Sequence, residues 1–186
     1  MRRYCSVVGV GTAIITVAAF FVILEPAGAA TDSAPLKVPF IHQETNGCGP
    51  ATVKMVQAYC LAQGDSVAPT TRPDASANLL VNEEQGVLLS DMRGFWDSSG
   101  YYAFTIQGDS ADLAHQISKG RVVIVALKKK GSTADLHYVV VAGLDQRRVW
   151  LNDPAKRGPG STDRRKFEES WTRAGKWMLL AVPRVP

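Results

Sequence analysis

The chain has 186 residues, 46% of them hydrophobic and 20% charged, and a formal net charge of +4. Its cations gather in Lys128-Lys129-Lys130, Arg147-Arg148 and Arg164-Arg165-Lys166. Such short runs read as solvated turns, with a basic surface facing an anionic envelope polymer or an acidic substrate as the second reading, and nothing in them argues for a nucleic-acid partner. No internal repeat or low-complexity tract is visible.

Residues 1–29 read as a secretory signal peptide. Arg2 and Arg3 open it, Val7 to Leu24 is almost unbroken apolar sequence, Pro26 ends the run, and Ala27-Gly28-Ala29 supplies the small residues of a cleavage site. The alternative is an uncleaved anchor, because a run of about 18 apolar residues just spans a bilayer. Either way the remainder is expected outside the cytoplasm, secreted or in the cell envelope, with membrane contact only if the segment is retained. Residues 30–186 are expected to form one domain, long enough to bury a sizeable core.

In chain order, residues 31–38 read as an extended lead-in. Gly49 to Gln63 reads as a helix, with Pro50 in its first turn, Ala51, Met55, Ala58 and Tyr59 at helical spacing, Val56 widening that face, and Gly64 as the stop. Asp65 to Ser76 reads as a loop. Helical patterns follow at Ala75–Val81 and Glu83–Phe95, then a strand at Tyr101–Ile106. Ser110–Lys119 reads as a helix capped by Ser110 and stopped by Gly120. Val122–Leu127, His137–Leu144 and Val149–Asn152 are rich in β-branched residues and read as strands. A short helix at Phe167–Arg173 and a strand at Trp177–Val182 close the chain. The class is α+β, with a helical first half and an antiparallel sheet in the second.

Two cysteines remain beyond the signal segment, and an exported chain would ordinarily pair them. The helix argues otherwise. Cys48 stands at its N-terminus and Cys60 twelve residues on, about 18 Å away at 1.5 Å per residue, whereas a disulfide needs Cα atoms within about 7 Å. Cys48 is therefore a thiol at a helix N-terminus, where unpaired N–H groups favour the thiolate, with Gly47 and Gly49 leaving room for a substrate backbone. Taken alone, a buried structural cysteine would be the simpler reading, and Cys60 fits that reading well.

His137 opens a strand. Folding the chain about a turn at Asp145-Gln146 brings residue 153 or 154 opposite it, close enough for Asp153 to hold the imidazole by a cross-strand hydrogen bond. That is the orienting role in a nucleophile–base–acid set; by itself, Asp153-Pro154 reads as a turn. Gln43, five residues before Cys48, can offer a side-chain N–H to a developing oxyanion, or be an ordinary loop residue. His42, His115 and His137 show no paired ligand spacing, and no phosphate-binding or dinucleotide motif appears, so neither metal nor cofactor is expected. His115 reads as a surface residue, and the four tryptophans as core or cleft lining.

The stretch Val38-Pro39-Phe40-Ile41-His42-Gln43-Glu44-Thr45-Asn46-Gly47-Cys48-Gly49-Pro50-Ala51 resembles the active-site segment of the bacteriocin-processing, double-glycine-leader peptidases, a papain-like family. His137-Tyr138-Val139-Val140-Val141, Asn152-Asp153-Pro154 and Phe167-Glu168-Glu169-Ser170-Trp171 resemble its later segments in the same order. The resemblance implies a papain-like fold and peptide-bond hydrolysis through an acyl-enzyme, with Cys48, His137 and Asp153 as catalytic set and Gln43 as oxyanion donor. The family places one more residue between the glutamine and the cysteine, so His42 holds the customary position here. Typical members are cytoplasmic domains fused to a transporter, so a role in leader maturation does not carry over. The expected partner is a peptide or protein substrate, bound by a monomer. The same thioester could instead serve acyl transfer or amidation, and a papain-like scaffold could also bind a peptide or wall component without catalysis.

Overall fold

Val122, Ile124 and Ala126 alternate with Val123 and Val125, and all five are buried. A strand whose two sets of side chains are both buried must be covered on both faces. In the computed structural model, which describes residues 34–64, 87–131 and 136–184, Val122 leads into and the other four belong to the strand β2 of a six-stranded sheet. The elements run α1 (Cys48–Ala62), α2 (Leu89–Ser98), β1 (Tyr101–Gln107), α3 (Ser110–Ser118), β2 (Val123–Leu127), β3 (His137–Leu144), β4 (Arg148–Asn152), β5 (Gly160–Asp163), α4 (Arg164–Arg173) and β6 (Trp177–Pro183). The strands lie in the order β1-β6-β2-β3-β4-β5, and every neighbouring pair is antiparallel. The fold is α+β, as expected.

Each face of the sheet carries its own core. Ile124, Ala126, Tyr138, Val140 and Ala142 pack with Val53, Met55 and Tyr59 of α1 and with Met92 and Trp96 of α2. Val123, Val125, Val139 and Val141 pack with Leu113 and Ile117 of α3 and with Phe167 and Trp171 of α4. Two helices on each face is thus the consequence of a central sheet that is apolar on both sides.

The first helix begins at Cys48 and ends where Gly64 takes a φ of +84°, the stop expected from the sequence. Its buried face is wider than the apolar spacing alone suggests. Thr52, Val53 and Cys60 are buried as well, and the Thr52 hydroxyl is satisfied by donating to the Gly49 carbonyl at 2.8 Å. Cys48 and Cys60 form no disulfide.

Three local readings are corrected. The cap of α3 is Asp109, not Ser110: its carboxylate accepts from the Ala111 and Asp112 N–H groups at 2.8 and 3.0 Å while Asp112 accepts from the Asp109 N–H at 2.9 Å. That reciprocal capping box satisfies more orphan N–H groups than one hydroxyl can, and the Ser110 hydroxyl donates instead to Glu168 at 2.6 Å. Strand β5, Gly-Ser-Thr-Asp, goes beyond the sequence reading; it is a largely exposed edge held by its ladder to β4 and carries no apolar alternation. Its last residue, Asp163, caps α4, which therefore starts at Arg164, three residues before the expected Phe167.

The third correction is the register of the β3–β4 hairpin. The turn closes by Asp145 N–H donating to Arg148 C=O at 2.9 Å, and a bulge lies between Val141 and Gly143. The last paired residues are Val140 and Asn152. One further step sets Asp153 beside Val139, so Asp153 meets His137 diagonally and not directly across. The bulged Ala142 has its carbonyl in use, accepting from Leu36 N–H at 2.8 Å, and the lead-in packs so closely there that a Cβ on Gly143 would lie 3.1 Å from Pro35. The expected signal segment, the loop at Asp65–Ser76 and the helix at Ala75–Val81 lie outside the described residues. Within the described residues α2 starts at Leu89.

Candidate active site

A tight turn sets the start of α1. Gly47 N–H donates to the Glu44 carbonyl at 3.0 Å, and Asn46 takes the left-handed φ of 55° that such turns require. The helix then begins with its N–H groups near the Cys48 side chain. Gly49 is a packing necessity, since a Cβ there would come within 2.9 Å of the Val87 side chain. Close packing of this first turn fixes the position of Cys48.

The Cys48 thiol is half-buried and receives hydrogen bonds from the His137 side chain and from the backbone N–H groups of Tyr138 and Gly49. Burial pushes the thiol up, but the His137 bond, the two N–H groups and the imidazolium charge outweigh it and hold it below the ordinary thiol value. His137 Nε2 lies 2.6 Å from Asp153 Oδ1, which leaves the other ring nitrogen for Cys48. Burial pushes the imidazole down, yet its bonds to Asp153 and Cys48 raise it to about 9. Burial likewise pushes the Asp153 carboxyl up, and the hydrogen bond and charge of His137 bring it below the usual carboxylate range. Asp153 Oδ1 also accepts from Ala155 N–H at 3.0 Å, which fixes the carboxylate in its own turn. The three residues expected to act together are therefore joined in one chain of hydrogen bonds.

The half of the site that carries Cys48 is sewn to the half that carries Asp153. Asn152, buried at 3% exposure, donates its side-chain amide to the Val38 carbonyl at 3.1 Å. Gln43 N–H donates to the Pro154 carbonyl at 3.0 Å, and the His42 ring donates from Nδ1 to the Lys156 carbonyl at 3.0 Å. These bonds fix the directions of the two neighbouring candidates. His42 is exposed, with its ring turned to Lys156, whereas Gln43 is half-buried and its Oε1 is buried with no hydrogen-bond partner among the described residues. Asn152 was missed as a site residue. Its signal was an amide closing the apolar run Val149–Leu151, where a buried polar group needs a partner.

Of the remaining candidates, His115 is exposed on α3, and Trp96 and Trp171 are core. Trp177, at 38% exposure, is neither core nor a wall of this site. Among the described residues no group of three His, Cys, Asp or Glu side chains could hold a metal ion, and no helix is long and apolar enough to cross a membrane.

The model of the Peptidase C39-like family matches residues 35–178, which include Gln43, Cys48, His137 and Asp153. The chain belongs to that family. It is a cysteine-type peptidase by class. Solved structures show the same fold. A protein of Bacillus anthracis described as a C39-like peptidase aligns with a TM-score of 0.64 at 18% identity, over 83% of this chain and 100% of that one. A double glycine motif protease from an AMS/PCAT transporter, solved with its leader peptide, aligns with a TM-score of 0.61 at 22% identity, over 82% and 96%. The peptidase domain of Streptococcus ComA, a bi-functional ABC transporter of a quorum-sensing pathway, aligns with a TM-score of 0.58 at 18% identity, over 80% and 99%. A comparison with curated proteins found no match.

Proposed function

We propose that this C39-like chain is an exported peptidase that hydrolyses peptide bonds through an acyl-enzyme on Cys48. The observation that carries the reading is the double engagement of His137, bonded to Cys48 on one side and to Asp153 on the other. With the thiol lowered and the imidazole raised, thiolate and imidazolium coexist in the pH range between their two titrations. The thiolate attacks the substrate carbonyl, the C–N bond breaks, and the imidazolium gives its proton to the leaving amine. The imidazole then takes a proton from water, which attacks the thioester and releases the acid and the thiol. Asp153 keeps the ring oriented and its charge balanced throughout. Gln43 and the backbone N–H at the start of α1 supply the oxyanion donors.

The substrate class in this reading is a peptide or protein. A structural relative was solved with a leader peptide bound, which supports a peptide as the ligand of this chain. Residues 1–29 direct the chain out of the cytoplasm, and residues 30–186 act as one peptidase unit. Cleavage of a peptide library by the exported protein, with Cys48→Ala as blank, tests the chemistry. Equal cleavage by both proteins would overturn it. The intact mass of the exported protein tests the leader, which is absent if residues 1–29 are removed.

A further inference from the structure

Asp153 also forms one wall of a cavity of about 330 Å³ between the β4–β5 edge and α4. Leu127, Leu151 and Phe167 give it apolar walls, and the exposed lysines Lys156 and Lys166 line it as well. Among the described residues, the ion pairs of α4 use Arg164 with Glu168 and Arg165 with Glu169, and none uses Lys156 or Lys166. The one carboxylate of the lining, Asp153, is already matched by His137. Lys156 also acts on Asp153 through its charge, so with Lys166 and the protonated His137 the cavity combines apolar side chains with a net positive charge, and its volume lies at the small end of ligand pockets.

We propose that this cavity is a specificity subsite for an acidic side chain of the substrate peptide, with its methylenes against Leu127, Leu151 and Phe167 and its carboxylate between Lys156 and Lys166. The proposal rests on the peptidase reading and adds the substrate's charge. The cavity adjoins the catalytic chain of hydrogen bonds at Asp153. A cationic side chain there would meet two ammonium groups and be excluded, which gives selectivity by repulsion as well as attraction.

The test uses fluorescein-labelled octapeptides that differ only in Glu, Gln or Lys at one scanned position. Binding is measured on the full chain carrying Cys48→Ala, and kcat/KM on the chain that retains Cys48. At one position Glu is expected to bind about tenfold more tightly than Gln, the scale of one charge-assisted hydrogen bond at a partly covered site, and Lys more weakly still. Lys166→Met abolishes the preference and Lys166→Glu reverses it. Lys119→Glu, exposed at the far end of α3, leaves it intact. Absence of any Glu preference, its survival in Lys166→Glu, or its equal loss in Lys119→Glu overturns the proposal. Cleavage without preference defeats the subsite alone; preferential binding without cleavage defeats the peptidase reading and keeps the subsite.

Discussion

Asp153 Oδ1 lies 2.6 Å from His137 Nε2, and it reaches the ring from a diagonal position just beyond the last paired residue of β4. That contact leaves the second ring nitrogen for Cys48, so loss of the carboxylate removes both the orientation of the ring and the charge that keeps it protonated. Asp153→Ala is expected to lower kcat/KM by about 10²–10⁴, with the protein still folded. Asp153→Asn keeps an acceptor for the Nε2 proton and loses only the charge, so its loss is smaller. Steady-state kinetics on one peptide substrate check both, and equal activity of Asp153→Ala and the parent chain would remove Asp153 from the catalytic set.

The pH profile follows from two opposite shifts. The Cys48 thiol is lowered, so thiolate appears below the ordinary thiol range; His137 is raised to about 9, so the imidazolium survives until then. The reactive pair exists between the two. Alkylation of Cys48 by iodoacetamide should rise on an acidic limb that lies below the ordinary thiol range of about 8.5. Peptide hydrolysis should rise on the same limb and fall near pH 9, as the acid that protonates the leaving amine is lost. The hydrogen bond and charge of His137 hold the thiol down, so His137→Ala is expected to move the alkylation limb upward towards an ordinary thiol. An alkylation limb that stays in place in His137→Ala would show that the helix start alone activates Cys48.

Much of this arrangement was legible in the sequence because it rests on local signals. The first-turn Pro50 and the stop at Gly64 mark α1, and β-branched runs mark β2 and β3. What escaped was set by tertiary context. The β3–β4 register depends on a bulge at Ala142 whose carbonyl serves Leu36, and no pattern within the hairpin records that partner. Strand β5 has no apolar alternation, so only its ladder to β4 reveals it. The choice between His42 and Gln43 was equally out of reach, because the carbonyls of Pro154 and Lys156 fix both residues from across more than a hundred positions.

Those bonds give the next expectation. Gln43 has its side-chain Oε1 buried and His42 lies exposed on Lys156, which supports Gln43 over His42 as the proposed oxyanion donor despite the shortened spacing. Gln43→Ala is expected to lower kcat by about 10²–10³, the usual cost of one oxyanion donor, with KM little changed. His42→Ala stays within a few-fold of the parent. The reverse ranking in steady-state kinetics would make His42 the donor.

Asn152 offers the sharpest separation of position from chemistry. It touches no reacting group, yet its buried amide holds the Val38 carbonyl at 3.1 Å and so anchors the lead-in that carries Gln43. Asn152→Leu leaves that carbonyl without its donor, at a cost of about 1–3 kcal/mol, which a thermal melt records as a drop of several degrees in Tm. With the lead-in loosened, kcat should fall more than KM rises, while the alkylation limb of Cys48 stays in place because His137 and Asp153 are untouched. Asn152→Asp makes the point through pH. A carboxylate there would face a carbonyl and the neighbouring charge of Asp153, so its folded pKa must lie above the unfolded value of about 3.9. A raised value stabilises the fold below the unfolded pKa and loses that stabilisation as pH rises through the folded one. The Asn152→Asp variant should therefore approach the parent in Tm at acidic pH, where its protonated carboxyl can donate to Val38, and fall behind it as pH rises towards neutrality. A constant gap between the two melting curves across that range would mean that the Asn152–Val38 bond does not anchor the lead-in.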